Sequence, residues 1–185
     1  MKKTKTKTKT KTKTKTKTKT TTTTKEVANK CSVQFLLNDQ KVSIEAPSNI
    51  TLLDLLRNQL GVKSPKCGCD VGDCGACTVI LDGESIRSCL VLAPEVHGRK
   101  VVTLEGIMKK SEGEMSELQR YFLNKNSFQC GFCAPGIIVA ATDLLEKNPH
   151  PTREEIVEGL SGNLCRCTGY TPIIDAVIDY IKQKS

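Results

Sequence analysis

The stretch CGCDVGDCGAC, residues 67–77, places four of the chain's ten cysteines and three glycines in one short segment. Cys69, Cys74 and Cys77 within it are followed at a distance by Cys89, which gives the spacing C-x4-C-x2-C…C. Plant-type [2Fe-2S] ferredoxins space their ligands in this way. We therefore predict that Cys69, Cys74, Cys77 and Cys89 hold one [2Fe-2S] cluster.

The interval between the third and fourth of these cysteines has its own explanation. TVIL and SIRS flank Asp82-Gly83, a pair that favours the tight type I′ turn of a β-hairpin. Cys77 lies five residues before Asp82, and Cys89 lies six residues after Gly83. Folding back on this turn brings the fourth thiol beside the third.

The glycines of the same stretch suit the charge of such a cluster. Two ferric ions, two sulfides and four thiolates sum to about −2 by formal charge, and one added electron makes about −3. Gly68, Gly72 and Gly75 allow the backbone to approach closely and direct its N–H groups at that charge. We expect the carboxylates of Asp70 and Asp73 to point to solvent.

Four further cysteines form the pairs Cys130-x2-Cys133 and Cys165-x-Cys167. The first pair alone, CGFC before a helix, also fits a thioredoxin-like dithiol. Taken together, four thiols at two helix starts predict a second four-ligand site, where the positive ends of the helix dipoles favour an anionic cluster. Arg166, between two of these ligands, either adds positive charge or faces a partner.

Two cysteines remain outside these sets. Cys31 opens a predicted strand, and we expect it to be a small core residue. Cys67 is the harder case, because its spacing to Cys74 could compete with that of Cys69. The spacing alone leaves that choice open.

Residue periodicity predicts two kinds of structure in the body of the chain. Up to Gly106 it is strand-like, with hairpins around NDQ and Asp82-Gly83, one helix in TLLDLLRNQL and a last strand in VVTLEG. Beyond Gly106 the apolar period becomes helical. We predict four helices there, with a linker over residues 107–114. Three of the four helices have recognisable starts, marked by Pro135, by a Thr152–Glu155 capping box and by Pro172.

The first thirty residues are a Lys-Thr alternation with hardly any apolar side chains, and we expect a disordered tail over residues 1–30. These thirty residues carry a formal charge of +11. The whole chain carries +8, so residues 31–185 carry −3. A body without Trp offers no evident platform for stacking bases, and we expect no nucleic-acid partner. Weak binding of polyanions by the tail is the alternative.

No sequence run approaches the roughly 18 apolar residues that a membrane span needs, and the N-terminus lacks the features of a secretory signal. We therefore expect a cytoplasmic protein without a membrane span. In a reducing compartment clustered cysteines are more often metal ligands than disulfides.

With both cysteine sets in view, the body resembles the iron-sulfur subunit of the molybdenum hydroxylases, the xanthine dehydrogenase, carbon monoxide dehydrogenase and aldehyde oxidoreductase family. The resemblance runs from about residue 33 to 182. It rests on GCDVGDCGACTV (68–79) with SC (88–89), VTLEG (102–106), QCGFCAPGI (129–137) and GNLCRCTGY (162–170).

The resemblance implies an α+β protein: a β-grasp plant-type ferredoxin domain over residues 31–107, then an all-α four-helix [2Fe-2S] domain over 108–185. It implies that the helical-domain cluster lies nearer a molybdopterin cofactor on a large partner subunit, with Gln129 and Cys167 against the pterin. The other cluster would pass electrons to FAD on a medium partner subunit. The family pattern also selects Cys69 over Cys67. A surface polar role for Gln129 is the alternative.

The implied function is electron relay within a multisubunit oxidoreductase, without a substrate site on this chain. Xanthine dehydrogenase, or another purine or heterocycle hydroxylase, is the parent enzyme that the motif spacing most resembles. Carbon monoxide or aldehyde dehydrogenase is the alternative, as is a free two-cluster ferredoxin. A protein with two structural zinc sites fits less well, because closed zinc sites usually pair two short CxxC knuckles.

Overall fold

The computed structural model describes residues 29–111 and 114–184. The predicted disordered tail lies outside these residues except for its last two, and Lys30 already begins the first strand.

The first half of the described chain folds around one mixed sheet of five strands in the order β2-β1-β5-β3-β4. β1 runs parallel to β5, and the other neighbouring strands are antiparallel. The strands are β1 (Lys30–Leu37), β2 (Gln40–Pro47), β3 (Thr78–Leu81), β4 (Glu84–Arg87) and β5 (Lys100–Val102).

Both predicted hairpins are present, and the turn at Asp82-Gly83 is of the predicted type I′. Asn38 and Asp39 join β1 to β2 with φ of 52° and 64°. Asp82 and Gly83 join β3 to β4 with φ of 50° and 89°. Two successive positive φ values define the type I′ turn, whose twist matches that of the paired strands.

A short helix covers one face of the sheet. α1 (Leu52–Asp54) begins where the Thr51 hydroxyl accepts the N–H of Asp54 at 3.1 Å, which caps the helix. It continues directly into one π-helical turn, Leu55–Gln59. Leu52, Leu55 and Leu56 are fully buried against the sheet. The predicted helix is therefore confirmed in place, and its second half is π-helical and not α-helical.

The second half is helical. The four predicted helices are confirmed, with Pro135 and Pro172 in first turns and a complete Thr152–Glu155 capping box. A further short helix precedes them. The helices are α2 (Leu104–Lys110), α3 (Glu117–Asn124), α4 (Ala134–Lys147), α5 (Arg153–Leu160) and α6 (Thr171–Lys184).

The prediction of a strand through residue 106 and a linker from 107 was wrong. β5 ends at Val102, and α2 occupies residues 104–110. Leu104 and Ile107 are buried in the helical core, so the apolar residues that suggested a strand serve a helix face instead. The predicted domain boundary after residue 107 falls inside α2 and remains a prediction.

The two halves pack tightly on each other. β3 is buried at all four positions because its alternate side chains enter different cores. Val79 and Leu81 lie in the core under α1, whereas Ile80 lies in the core of the helical half. Of the helices in the described residues, none combines the length and the apolar character needed to cross a membrane.

Candidate metal centres

The first cysteine quartet is assembled by the predicted loop and hairpin. Cys77, just before β3, and Cys89, just after β4, are buried, with sulfurs 3.4 Å apart. Cys69 and Cys74 form a second pair nearer the surface, and their side chains are also in hydrogen-bond contact. The structure thus brings all four sequence-predicted thiols together as two close pairs.

Backbone N–H groups converge on the sulfur of Cys69. The amides of Val71 and Cys74 donate to it, the latter at 3.4 Å, and these bonds lower the pKa of the Cys69 thiol to about 7. Burial, followed by the neighbouring Cys77 sulfur, raises the pKa of Cys89 to about 12. The loop therefore stabilises negative charge on sulfur at its exposed end, as a thiolate ligand requires.

Cys67 has a different environment from Cys69. Cys67 is an exposed residue. Partial desolvation of its sulfur, followed by the negative charge of Asp70, raises the pKa of the thiol. The converging amides of the loop serve Cys69 and not Cys67. Of these two thiols, Cys69 is the one with the amide donors that stabilise a thiolate, and its role as a ligand stays a prediction.

Two of the loop glycines are required by close approach. A Cβ on Gly68 would lie 2.8 Å from the Cys74 sulfur. Gly72 has φ of 88°, and a Cβ there would overlap the side chain of Leu90. Asp70 and Asp73 are exposed, as we expected from their charge. The loop is therefore shaped to bring backbone, and not side chains, against the sulfurs.

The second quartet forms from two loops that lead into α4 and α6. The sulfurs of Cys130 and Cys167 lie 3.7 Å apart at the surface. Cys133 is buried at the start of α4 and forms a side-chain hydrogen bond with half-buried Cys165. As in the first quartet, the four predicted thiols come together as one pair nearer the surface and one deeper pair.

Hydrogen bonds from the same two loops support the sulfurs of this quartet. The Phe132 amide and the contact with Cys167 lower the pKa of Cys130. Burial opposes ionisation of Cys165, but the Thr168 hydroxyl, 3.2 Å from the sulfur, helps to lower the pKa of the thiol. Burial raises the pKa of Cys133 to about 12. The donors come from loop amides and a hydroxyl, in addition to the helix starts that the sequence suggested.

The two residues that the resemblance places against a pterin lie on the same surface. Gln129 and Cys167 are both exposed beside the Cys130 sulfur, and so is Arg166. Phe132 and Leu164, large apolar side chains that are about half exposed, directly precede the quartet's Cys133 and Cys165 in sequence. We call this set of residues the inner face. An exposed apolar surface beside a quartet is typical of a contact site for a partner.

The loops of the two quartets are bonded to each other. The Leu164 amide donates to the Cys74 carbonyl at 2.9 Å, and Leu164 directly precedes Cys165. The buried side-chain amide of Asn163 donates to the carbonyl of Gly75 at 3.0 Å and to the Thr78 hydroxyl at 3.2 Å. One hydrogen bond and one peptide link therefore separate a thiol of one quartet from a thiol of the other.

Glu105 supports the first loop, a role that the sequence analysis missed. Its half-buried carboxylate accepts the Ser64 amide at 2.8 Å, the Ser64 hydroxyl and the Thr103 hydroxyl. These bonds hold the pKa of Glu105 below its usual value in spite of burial. The only sequence signal was its place in VTLEG. The carboxylate anchors the segment that leads into Cys67 and the loop that follows.

The donor set fits a two-iron cluster. Within the described ranges, no three Cys, His, Asp or Glu side chains are close enough to chelate one metal ion. Each quartet consists of two thiol pairs, and each iron of a [2Fe-2S] cluster takes two thiolates besides the two shared sulfides. When bound, such clusters accept and donate one electron at a time.

Comparison with known families agrees with this chemistry for both halves of the chain. Residues 35–103 match the family model described as a 2Fe-2S iron-sulfur cluster binding domain. Residues 103–178 match the model described as a [2Fe-2S] binding domain.

Two curated relatives are similar over nearly their whole length. The nicotinate dehydrogenase small FeS subunit of Eubacterium barkeri is 48% identical, over 80% of this chain and 94% of the relative. The xanthine dehydrogenase iron-sulfur-binding subunit of Escherichia coli O157:H7 is 44% identical, over 83% and 96%.

A solved structure extends the likeness to three dimensions. One chain of quinoline 2-oxidoreductase from Pseudomonas putida 86 superposes with a TM-score of 0.76 at 37% sequence identity. The match covers 84% of this chain and 94% of that chain. The α+β fold, with its ferredoxin-like half followed by a helical half, is thereby confirmed.

Proposed function

Because the chain belongs to the iron-sulfur small subunits of the molybdenum hydroxylases, we propose that it relays single electrons from a molybdenum centre to a flavin. Cys69, Cys74, Cys77 and Cys89 hold the outer [2Fe-2S] cluster. Cys130, Cys133, Cys165 and Cys167 hold the inner one. The chain is the electron-transfer part of an oxidoreductase and carries no substrate site of its own.

One observation carries this proposal: each thiol quartet is made of one deep pair and one surface pair. Of the deep pairs, Cys77 and Cys89 pack with the buried Leu53, and Cys133 and Cys165 pack in the core of the helical half. The surface pairs place one edge of each site within reach of another protein. Such an arrangement suits a relay, because electrons must enter and leave through partner surfaces while the sites stay rigid.

The two surface pairs of thiols support a contact with each of two partner subunits. The inner face, with Gln129 and Cys167, meets a molybdopterin-binding large subunit. The surface around Cys69 meets an FAD-binding medium subunit. Val71 and Leu90, which are both more than half exposed, supply apolar contact area there. The hydrogen bond from the Leu164 amide to the Cys74 carbonyl links the two ligand loops.

The substrate of the parent enzyme is a nitrogen heterocycle, with xanthine or another purine as the first candidate. The named relatives act on nicotinate and xanthine, and the solved neighbour on quinoline. Aldehyde oxidoreductases are also similar, with 40% identity for one solved structure, and provide the second candidate class.

The cluster assignment is tested on the purified full-length chain together with the subunits that co-purify with it. We expect four iron and four acid-labile sulfides per chain and two distinct reduced [2Fe-2S] EPR signals. A colourless protein that contains two zinc ions and no labile sulfide would end the proposal.

The substrate class is tested with the same complex. We expect xanthine or nicotinate to reduce both clusters in the absence of another electron donor, so that both EPR signals of the reduced clusters appear. Reduction by aldehydes alone would move the chain to the second class. Purification of this chain without any molybdopterin or flavin subunit would support a free ferredoxin instead.

A further inference from the structure

Lys66 is the residue directly before the CGCDVGDCGAC loop, and its side chain crosses to the other quartet. The Lys66 ammonium nitrogen lies 3.5 Å from the carbonyl oxygen of Gly131 and 5.1 Å from the centroid of the Phe132 ring. Both of these residues belong to the segment between Cys130 and Cys133. A cation from the ferredoxin half is therefore built into the ligand loop of the helical half.

The Gly131 carbonyl has a particular position in that loop. It shares one peptide unit with the N–H of Phe132, which donates to the sulfur of Cys130. A positive charge on the carbonyl side polarises the peptide, so that its N–H becomes a stronger donor. Lys66 thus acts on the Cys130 sulfur both through space and through a hydrogen-bonded peptide.

The main chain of Lys66 is fixed as well. Its N–H donates to the carbonyl of Ala76 at 2.9 Å, inside the loop of the outer quartet. The side chain is half-buried, and it has no carboxylate partner in the described part of the chain. Its charge is therefore held in place and is not neutralised by a neighbouring acid, unlike that of a solvated surface lysine.

We infer that Lys66 is a positioning residue that raises the reduction potential of the inner cluster relative to the outer one. Reduction adds one negative charge to a site that is already anionic, so a fixed cation nearby favours the reduced form. Hydrogen bonds to cluster sulfur act in the same direction. This inference rests on the proposed function, because it requires a cluster at each quartet.

The test is a redox titration of the whole complex, followed by EPR, for wild type, Lys66→Met and Lys66→Gln. The Cys69→Ala and Cys130→Ala variants first assign the two signals. We expect Lys66→Met to lower the equilibrium constant for one-electron reduction of the inner cluster about tenfold, which lowers its reduction potential by about 59 mV. The outer cluster should shift less. Lys66→Gln, which can still donate to Gly131 but has no charge, should give most of the same shift.

Two further variants control for charge and for folding. Lys66→Arg keeps the cation and should restore most of the wild-type potential. Lys41→Met removes the same charge from β2, at the far edge of the sheet, and should leave the inner potential unchanged.

The possible failures are distinguishable. If wild type shows no [2Fe-2S] signals, the proposed function itself is wrong. If both signals are present but Lys66→Gln keeps the wild-type inner potential, the inference is overturned while the function stands. The same holds if the outer cluster shifts more than the inner one, or if Lys41→Met shifts the inner cluster equally. If Lys66→Met loses its inner cluster, the inner-cluster potential of Lys66→Gln tests the inference in its place.

Discussion

At the scale of single residues, the sulfur of Cys69 is marked out by the amides that surround it. Val71 and Cys74 donate to it, and Gly68 leaves the space in which the Cys74 sulfur lies. Cys67, two residues away, is exposed and has a raised thiol pKa. Environment therefore separates two thiols whose spacing in sequence does not.

We predict that Cys67→Ala keeps both clusters, whereas Cys69→Ala loses the outer one. Removing Cys69 leaves its partner Cys74 and the loop amides without the thiolate that they serve. Iron and labile sulfide analysis, with EPR of the reduced protein, measures the result. If Cys67→Ala were the variant that lost the outer signal, the loop would have been assigned two residues out of register.

The cysteines could be predicted individually because ligand spacing is a local property of the sequence. Lys66 and Glu105 could not, because each acts across a contact between segments distant in sequence. Glu105 lies about 40 residues from Ser64, and Lys66 lies 65 residues from Gly131. A lysine in a loop and a glutamate in a helix are ordinary surface residues until the fold shows what they meet.

At the scale of elements, α4 approaches the outer loop closely enough to require a glycine. A Cβ on Gly136, in the first turns of α4, would overlap the carbonyl oxygen of Gly75. The backbone on both sides leaves little freedom to move away. Helix and loop are consequently in backbone contact at this point.

We predict that Gly136→Ala destabilises the loaded protein by about 1–3 kcal/mol, the usual range for overpacking. The matched control is Gly159→Ala in α5, where the new methyl group meets only the flexible end of Leu144. That change should be neutral or stabilise by up to about 1 kcal/mol through helix propensity. Urea unfolding followed by circular dichroism compares the two. Equal effects at both glycines would contradict the close-contact argument.

The elements themselves were largely predictable, because hairpin turns and helix caps have local sequence signals. Thr51, Asp82-Gly83 and the Thr152–Glu155 box all act as the sequence indicates. The VVTLEG segment misled because alternating apolar residues fit a strand and the start of a buried helix equally well. Only packing of Leu104 against α4 decides between them.

At the scale of the whole molecule, charge is divided sharply along the chain. The formal net charge is +8, but residues 31–185 carry −3. Lys66 and the eight candidate ligand cysteines, Cys69 to Cys167, all lie within this acidic body. We therefore treat the basic stretch as separate from the relay.

We predict that deletion of residues 2–25 leaves iron content, both EPR signals and substrate-driven reduction unchanged. The deletion removes eleven lysines and lowers the formal net charge from +8 to −3. Anion-exchange retention should increase accordingly, which verifies the change in charge independently of function. Loss of a cluster, or of complex formation, would show that the stretch contributes to assembly.

The order of the two halves and their chemistry were accessible from sequence, because each half carries its own motif. How they join was not. At the joint, the main-chain carbonyls of Cys74 and Gly75 accept hydrogen bonds from the Leu164 amide and the Asn163 side chain, and Arg87 donates to the Gly162 carbonyl at 2.6 Å. Contacts to backbone atoms leave little trace in residue types.

This joint has a consequence for how such proteins can change over time. A surface made of side chains can drift, since one substitution compensates another across it. A surface made of carbonyls, amides and glycines offers few positions at which compensation is possible. Halves exchanged between distant relatives should therefore fit together with little readjustment.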